Sequence, residues 1–324
     1  MKILVTGGAG FIGSHLTERC LNIGHKVFVL DDLSTGSLDN LKHLESNNDL
    51  DVTINTILNY NAVNSLINEC DVIFHLAAAV GVEYIINNPL QSIITNIKGT
   101  ENVLEIASFR KKKVLVASTS EVYGKSDKVP FREEDDRLQG STHINRWSYA
   151  CTKALDEFLS LAYCHEKHLP VIVARFFNVV GERQIGRYGM VIPRFIEAAL
   201  VDKPLTVYGD GSQTRCFAYV KDVVDGIMLL INSDNAIGEV FNVGAEEEIT
   251  ILELAKKIID LTHSKSEIEM VPYNKVFKGD FEDMPRRMPC LDKVKKYVGY
   301  NPRTTLDEIL SKVASYIRGS SENK

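Results

Sequence analysis

Tyr149 and Lys153 stand four residues apart in Arg146-Trp147-Ser148-Tyr149-Ala150-Cys151-Thr152-Lys153. In a helix that spacing puts both side chains on one face. A free phenol has a pKa of about 10, too high for a base at neutral pH. A neighbouring ammonium favours the phenolate and brings it toward working range. Such a pair can take the proton of an alcohol while a hydride leaves the carbon beneath it. Ahead of it, the apolar run Val114–Ala117 leads into Ser118-Thr119-Ser120-Glu121, whose hydroxyls would face the same point from a sheet. The chemistry then needs a hydride acceptor.

Gly7-Gly8-Ala9-Gly10-Phe11-Ile12-Gly13 supplies a place for one. It follows an apolar run and opens a helical pattern, the context that gives a glycine spacing its force. Gly7 permits a tight turn, Gly10 lets the backbone approach a pyrophosphate, and Gly13 packs helix against sheet. The helix N-terminus offers free N–H groups and partial positive charge to phosphates. Asp31 lies 18 residues beyond Gly13, where an acid can bind a ribose 2′-hydroxyl. With Asp32 it would repel a 2′-phosphate, so NAD is expected rather than NADP, and its positive nicotinamide ring would join Lys153 in favouring the Tyr149 phenolate. The expected cofactor contacts are Gly7, Gly10, Phe11, Ile12, Gly13, Asp31, Asp32, Leu76, Ala77 and Ala78, with Tyr149 and Lys153. Adenine is left to Thr56 or to backbone groups, because Asn55-Thr56-Ile57-Leu58 holds no acid.

Positioning these groups takes a sheet. The short runs Lys2–Thr6, Val27–Leu30, Val72–Leu76, Val114–Ala117 and Val171–Arg175 alternate with amphipathic stretches such as Phe11–Ile23 and Leu90–Ser108. Such runs read as strands buried on both faces of a parallel sheet. Right-handed crossovers then give an α/β, Rossmann-type, doubly wound sheet. Val240–Val243 looks like one more strand, reached after a detour. From Gly181 to Arg215 the chain reads as loop-like and basic, and Ile251–Thr262 and Leu306–Ile317 read as helices of a smaller C-terminal lobe over the strand ends. The expected division is interleaved. Residues 1–177 with about 218–244 hold the cofactor, about 178–217 with 245–318 hold the substrate, and 319–324 form a frayed tail.

Composition narrows the classes. The chain has 324 residues, 44% hydrophobic and 25% charged, with a formal net charge of −6. That is an ordinary globular mix and disfavours a nucleic-acid binder working through bulk electrostatics. No run approaches the roughly 20 apolar residues that cross a bilayer, and the start lacks a signal-peptide plan. The six cysteines are scattered, without a C-x-x-C pair or zinc spacing, as expected of reduced thiols in a cytoplasmic enzyme. No metal is expected. His15, His75 and Trp147 read as packing or loop residues.

With these motifs in place, the chain resembles the extended short-chain dehydrogenase/reductases, in the group of nucleotide-sugar epimerases, dehydratases and decarboxylases. The likeness runs through VTGGAGFIGSH, HLAAAVGV, NIKGT, STSEVYG, SYACTK, RFFNVVG, YGDGSQTRCFAYVKDVV and the RRMP segment. It implies a tightly held NAD, a nucleoside-diphosphate sugar (a UDP-sugar before others), oxidation at sugar C4, and a homodimer built from two helices per subunit. Carried over, Tyr149 is the base, Lys153 its partner, and Thr119 the hydroxyl that orients O4; Asn178 touches the phosphates and Arg215 pairs with the diphosphate. Physical chemistry supports the arginines Arg187, Arg194, Arg215, Arg286 and Arg287, since guanidinium forks fit phosphate oxygens. Arg187, Arg215 and Arg287 are the expected substrate ligands.

A C4 ketone acidifies C5, and three outcomes diverge there. Epimerisation needs no further acid or base, 4,6-dehydration needs both, and decarboxylation uses the ketone as electron sink. Glu121, next to Ser120, is the discriminating residue, because a carboxylate beside C5 is a poor choice for a site that only rotates a sugar. The string Thr-Ser-Glu resembles those of UDP-glucuronate decarboxylases and GDP-mannose 4,6-dehydratases, and Arg146 and Arg287-Met288-Pro289 lean toward the former. The stretch Glu83–Pro89 is one residue longer than the decarboxylase pattern. C5/C6 chemistry is therefore expected, decarboxylation ahead of dehydration. A UDP-sugar 4-epimerase is the alternative, and a non-catalytic NAD-binding regulator is remote.

Overall fold

Among the described residues the central strands of the main sheet are buried on both faces, as the apolar runs require. The computed structural model describes residues 1–186, 190–276 and 282–322. In chain order come β1 (Lys2–Thr6), α1 (Phe11–Asn22), β2 (Lys26–Asp31), β3 (Leu50–Ile54), α2 (Tyr60–Glu69), β4 (Val72–His75), α3 (Val82–Asn87), α4 (Pro89–Arg110), β5 (Lys113–Thr119), α5 (Arg146–Lys167) and β6 (Val171–Phe176). Then follow β7 (Val179–Val180), α6 (Val191–Ala199), β8 (Leu205–Tyr208), β9 (Thr214–Cys216), β10 (Ala218–Tyr219), α7 (Val220–Ile231), β11 (Val240–Val243), β12 (Glu248–Thr250), α8 (Ile251–Thr262), β13 (Ile268–Val271), α9 (Tyr273–Val276), α10 (Asp292–Val298) and α11 (Leu306–Glu322).

Seven strands form one sheet in the order β11-β6-β5-β4-β1-β2-β3, every pair parallel. This is the Rossmann-type α/β sheet. Successive side chains point to opposite faces, and the core splits accordingly. Ile3, Val5, Val27, Val29 and Phe74 join one apolar cluster with α1 and α7, which runs on into α6, α8 and α11. Leu4, Phe28, Leu30, Ile73 and Val116 join the other, under α2 and α4. Order reverses between β1 and β4, so the loops after these strands part and leave a crevice at their carboxyl ends.

Several boundaries differ from the sequence reading, each for a physical reason. β5 continues through Ser118 and Thr119, because both pair with β6. β3 was no apolar run; it is an edge strand whose side chains are mostly exposed, so burial left little trace in its composition. The stretch from 181 to 215, read as loop, contains α6 and β8. Pro193 sits in the first turn of α6, where its missing N–H costs nothing. Instead of a tail beginning at 319, α11 extends to Glu322. No helix among the described residues is long and apolar enough to cross a membrane.

Candidate active site

A continuous cleft of about 1010 Å³ opens at the carboxyl ends of the strands, at the upper end of the range for ligand sites. Its inner end is built by the glycine loop. Gly7 has φ +74°, and a Cβ there would lie 2.8 Å from the Ala77 backbone nitrogen. A Cβ on Gly13 would overlap the Gly7 carbonyl oxygen, so the helix starts against the loop with no room for a methyl. Gly10 caps α1 without a side-chain bond, which leaves its first N–H groups aimed at the cleft. Asp31 accepts N–H bonds from Ala9 and Leu33, both 2.9 Å. Burial nonetheless raises its carboxyl above the usual range. Asp32 accepts from the Ser34 amide at 3.0 Å. Phe11, Ile12, Leu76, Ala77 and Ala78 line the same end. This cradle fits a dinucleotide's phosphates and ribose. Gly13→Ala is expected to abolish cofactor retention on gel filtration and to lower the melting temperature.

Thr56 does not line the cleft, contrary to one option left open for adenine. Its hydroxyl accepts the Leu58 amide at 3.3 Å, and its neighbours Asn55 and Ile57 form the wall instead. His15 and His75 are packing residues. Burial pushes them down to about 4 and about 3, so both are neutral.

The dyad lies deeper. α5 begins at Arg146, so Tyr149 stands in its first turn and Lys153 one turn on, both lining the cleft. Thr119, at the end of β5, hydrogen-bonds the phenol from the sheet side, and its oxygen also accepts the Glu121 amide at 3.2 Å. Ser120 is buried beside it, its hydroxyl unpartnered among the described residues. The phenol's pKa is raised, first by burial and then by the charges of Glu121 and Asp156, against the Thr119 hydrogen bond and Arg287. Lys153 is not among the main charges acting on the phenol; its ammonium is held at 2.8 Å by Asp156.

The outer end of the cleft is cationic. Arg146 and Arg215 each reach Asp283 at 3.0 Å, and Arg287 lies 3.5 Å from Glu121. All five line the cleft, three guanidiniums against two carboxylates. Burial, and then the like charges of Arg215 and Arg146, lower Arg287 to about 10 against the opposing charge of Glu121, and its Nε has no partner among the described residues. Asn178 bridges the cluster: its amide nitrogen donates to the Cys216 carbonyl at 3.0 Å and its oxygen accepts from Arg287 at 3.3 Å. Arg194 also lines the cleft, stacked 4.3 Å from the Tyr208 ring. Arg286 does not belong here. It is half exposed and paired with Glu248. Arg187 lies outside the described residues.

Three groups escaped the sequence reading. Asp283 organises two arginines, Asp156 holds Lys153, and Glu157 pins α5 to the sheet. Buried Glu157 accepts two bonds from Arg175 of β6, both 2.8 Å, and one from Ser118 at 2.5 Å. For Asp156 and Glu157 a signal existed: acids at three and four residues past Lys153 fall on the dyad's own helix face. For Asp283, 68 residues from Arg215, there was none.

The chain is similar to known proteins in sequence and in structure. A family profile described as GDP-mannose 4,6 dehydratase matches residues 4–313. A UDP-N-acetyl-alpha-D-glucosaminuronate decarboxylase of Bacillus cytotoxicus is 44% identical over 318 residues, 98% of each chain. UDP-glucuronic acid decarboxylase 1 of Danio rerio is 38% identical, covering all of this chain and 74% of that one. Among solved structures, UDP-glucuronic acid 4-epimerase of Bacillus cereus, in complex with UDP-glucuronic acid and NAD, superposes with a TM-score of 0.89 at 31% identity, over 99% of this chain and 100% of that one.

Proposed function

The chain belongs to the GDP-mannose 4,6 dehydratase family, and from that premise we propose that it is an NAD-dependent enzyme that oxidises a UDP-hexuronate at C4 and releases the C6 carboxylate as carbon dioxide. The observation that carries this reading is the Glu121–Arg287 pair, set in the same cleft wall as Tyr149 and next in sequence to the hydroxyls of Thr119 and Ser120. An epimerase has no task for it. The cationic surplus also suits a ligand bearing both a diphosphate and a carboxylate. The relatives named as decarboxylases, one of them 44% identical, support the same choice.

NAD, when bound, supplies the hydride acceptor at C4 and returns the hydride at the end. Gly7, Gly10, Phe11, Ile12, Gly13, Asp31, Asp32, Leu76, Ala77 and Ala78 would hold it. Tyr149 takes the O4 proton, and Thr119 orients that oxygen. The resulting ketone is β to the C6 carboxylate, so the C5–C6 bond can break with its electron pair passing into the C4 carbonyl as an enolate. Arg287, whose charge acts on the phenol, is assigned to that developing negative charge, and Glu121 and Ser120 to proton handling at C5. Tyr149 then returns its proton to O4. Arg215 and Asn178 are assigned to the diphosphate. The interleaved division into a cofactor part and a substrate part belongs to the same proposal.

Incubation of the purified protein with UDP-glucuronate, UDP-N-acetylglucosaminuronate, UDP-glucose, UDP-N-acetylglucosamine and GDP-mannose tests it by product mass. Carbon dioxide loss from a uronate is the expected result, and the two uronates compare a C2 hydroxyl with an N-acetyl group. Water loss points to dehydration. Unchanged mass with a new chromatographic peak points to the 4-epimerase reading, which the likeness to the Bacillus cereus enzyme favours.

A cytoplasmic homodimer is part of the proposal. Six free cysteines suit a reducing compartment. The packed pair α4 and α5 leaves Leu90 71% and Phe158 63% exposed, with Ile94 and Leu155 beside them, an apolar face that a second copy would cover. Replacing both Leu155 and Phe158 by Asp is expected to give a monomer by light scattering.

A further inference from the structure

Lys153 has almost no contact with solvent, and its ammonium meets a carboxylate that no cofactor or substrate supplies. Asp156, one turn further along α5, holds Lys153 Nζ with Oδ2 at 2.8 Å, and both side chains are buried. The pair is isolated. Asp156 Oδ1 has no partner at hydrogen-bond distance among the described residues. Burial raises the Asp156 carboxyl, against the pull of Lys153 and of the Thr100 hydroxyl of α4; that hydroxyl lies 3.1 Å from His75 Nε2, and His75 Nδ1 in turn lies 2.8 Å from the Thr6 hydroxyl. Thr6 closes β1 at the glycine loop and accepts the Ala77 amide at 3.3 Å. Neutral His75 therefore ties the loop that cradles phosphates to Thr100 of α4.

We propose that Asp156 is a positioning residue of the dyad, which fixes the Lys153 ammonium and screens its charge from Tyr149. The physical argument is Coulombic. An ammonium with a carboxylate at contact distance presents a dipole rather than a full charge to a third group. Tyr149 in the free protein thus stays a protonated phenol. The charged and titratable groups around it include Glu121 after β5, Arg287 and Asp283 from the segment before α10, Tyr84 of α3, and Arg146, Lys153 and Asp156 of its own helix. Beyond Lys153 lies His75 of β4. Of these, Glu121 and Asp156 raise the phenol and Arg287 lowers it. Activation therefore waits for positive charge to enter the cleft.

The inference rests on Tyr149 being the base, and its test reads the phenol without substrate, so it can fail separately from the proposed reaction. In Asp156→Asn the amide oxygen can still accept from Lys153 while the negative charge is gone. Ultraviolet difference titration, taken against Tyr149→Phe in the same background, is expected to show tyrosinate forming about one pH unit or more lower than in the unsubstituted protein. The acid limb of the kcat profile is expected to move the same way, and Asp156→Glu to restore the original profile. Superposed titrations and profiles for the Asn variant would overturn the proposal. If the Asn variant does not fold, Asp156→Ser carries the same measurement. Unfolding of both, beside a folded Lys153→Met, would show Asp156 to be structural and would also overturn it.

Discussion

Tyr149→Phe is expected to lower kcat by roughly 10²–10⁴-fold, the usual contribution of a positioned acid–base group. The ring keeps its shape, so no cavity forms. Thr119 keeps one of its bonds, from the Glu121 amide. Stability should fall by about 1 kcal/mol or less, as for one lost hydrogen bond. Binding of nucleotide sugar should change little, because the phosphate ligands sit at the arginine end. The discriminating measurement is a single turnover followed at the nicotinamide absorbance: no reduced cofactor is expected. In the unsubstituted enzyme, burial, Glu121 and Asp156 all oppose loss of the phenolic proton. The base is active only when deprotonated, so kcat should rise with pH on the acid side. A pH-independent kcat, or full reduction by the Phe variant, would remove Tyr149 from the first step.

Glu121→Gln separates the two half-reactions. After a first equivalent, carbon dioxide release over many turnovers is expected to fall roughly 10²–10³-fold while reduced cofactor accumulates. The sign for the oxidation follows from charge. Glu121 raises the phenol, so its neutralisation favours the phenolate and shifts C4 oxidation to lower pH. Stability should fall, because Arg287 loses its partner in a largely buried setting, where breaking a pair costs about 3–5 kcal/mol at full burial. The double variant Glu121→Gln/Arg287→Met removes the stranded charge and should regain part of that stability without regaining carbon dioxide release. Full turnover by Glu121→Gln would place the carboxylate outside the mechanism.

The residues proposed to carry the chemistry were largely legible in the chain, and the reason is locality. Tyr149 and Lys153 are one helical turn apart, Thr119 to Glu121 are consecutive, and Gly7 to Gly13 span one loop and one turn. Spacing alone places such groups together once strand and helix are assigned. The buried strands were legible because a sheet covered on both faces demands uninterrupted apolar runs. β3 and α6 were not, since the first is an exposed edge and the second opens with a proline amid basic residues.

The arginines show where spacing stops informing. Arg286 and Arg287 are adjacent in the chain, yet one is paired with Glu248 at the half-exposed rim and the other is buried between Glu121 and Asn178. Nothing local distinguishes them. The packing of the segment before α10 against β9 and α5 does, and with it the choice of Asp283 as the carboxylate between Arg146 and Arg215.

By itself, then, the sequence determined the sheet, the glycine loop and the Tyr149–Lys153 pair proposed as base and partner, all built from residues within a few positions of one another. Tertiary structure alone decided the charge environment of that base. Its field comes from Glu121, Arg287 and the Asp156–Lys153 pair, brought in from separate elements, and Coulomb energies depend on distance through space and on burial, neither of which a linear chain records.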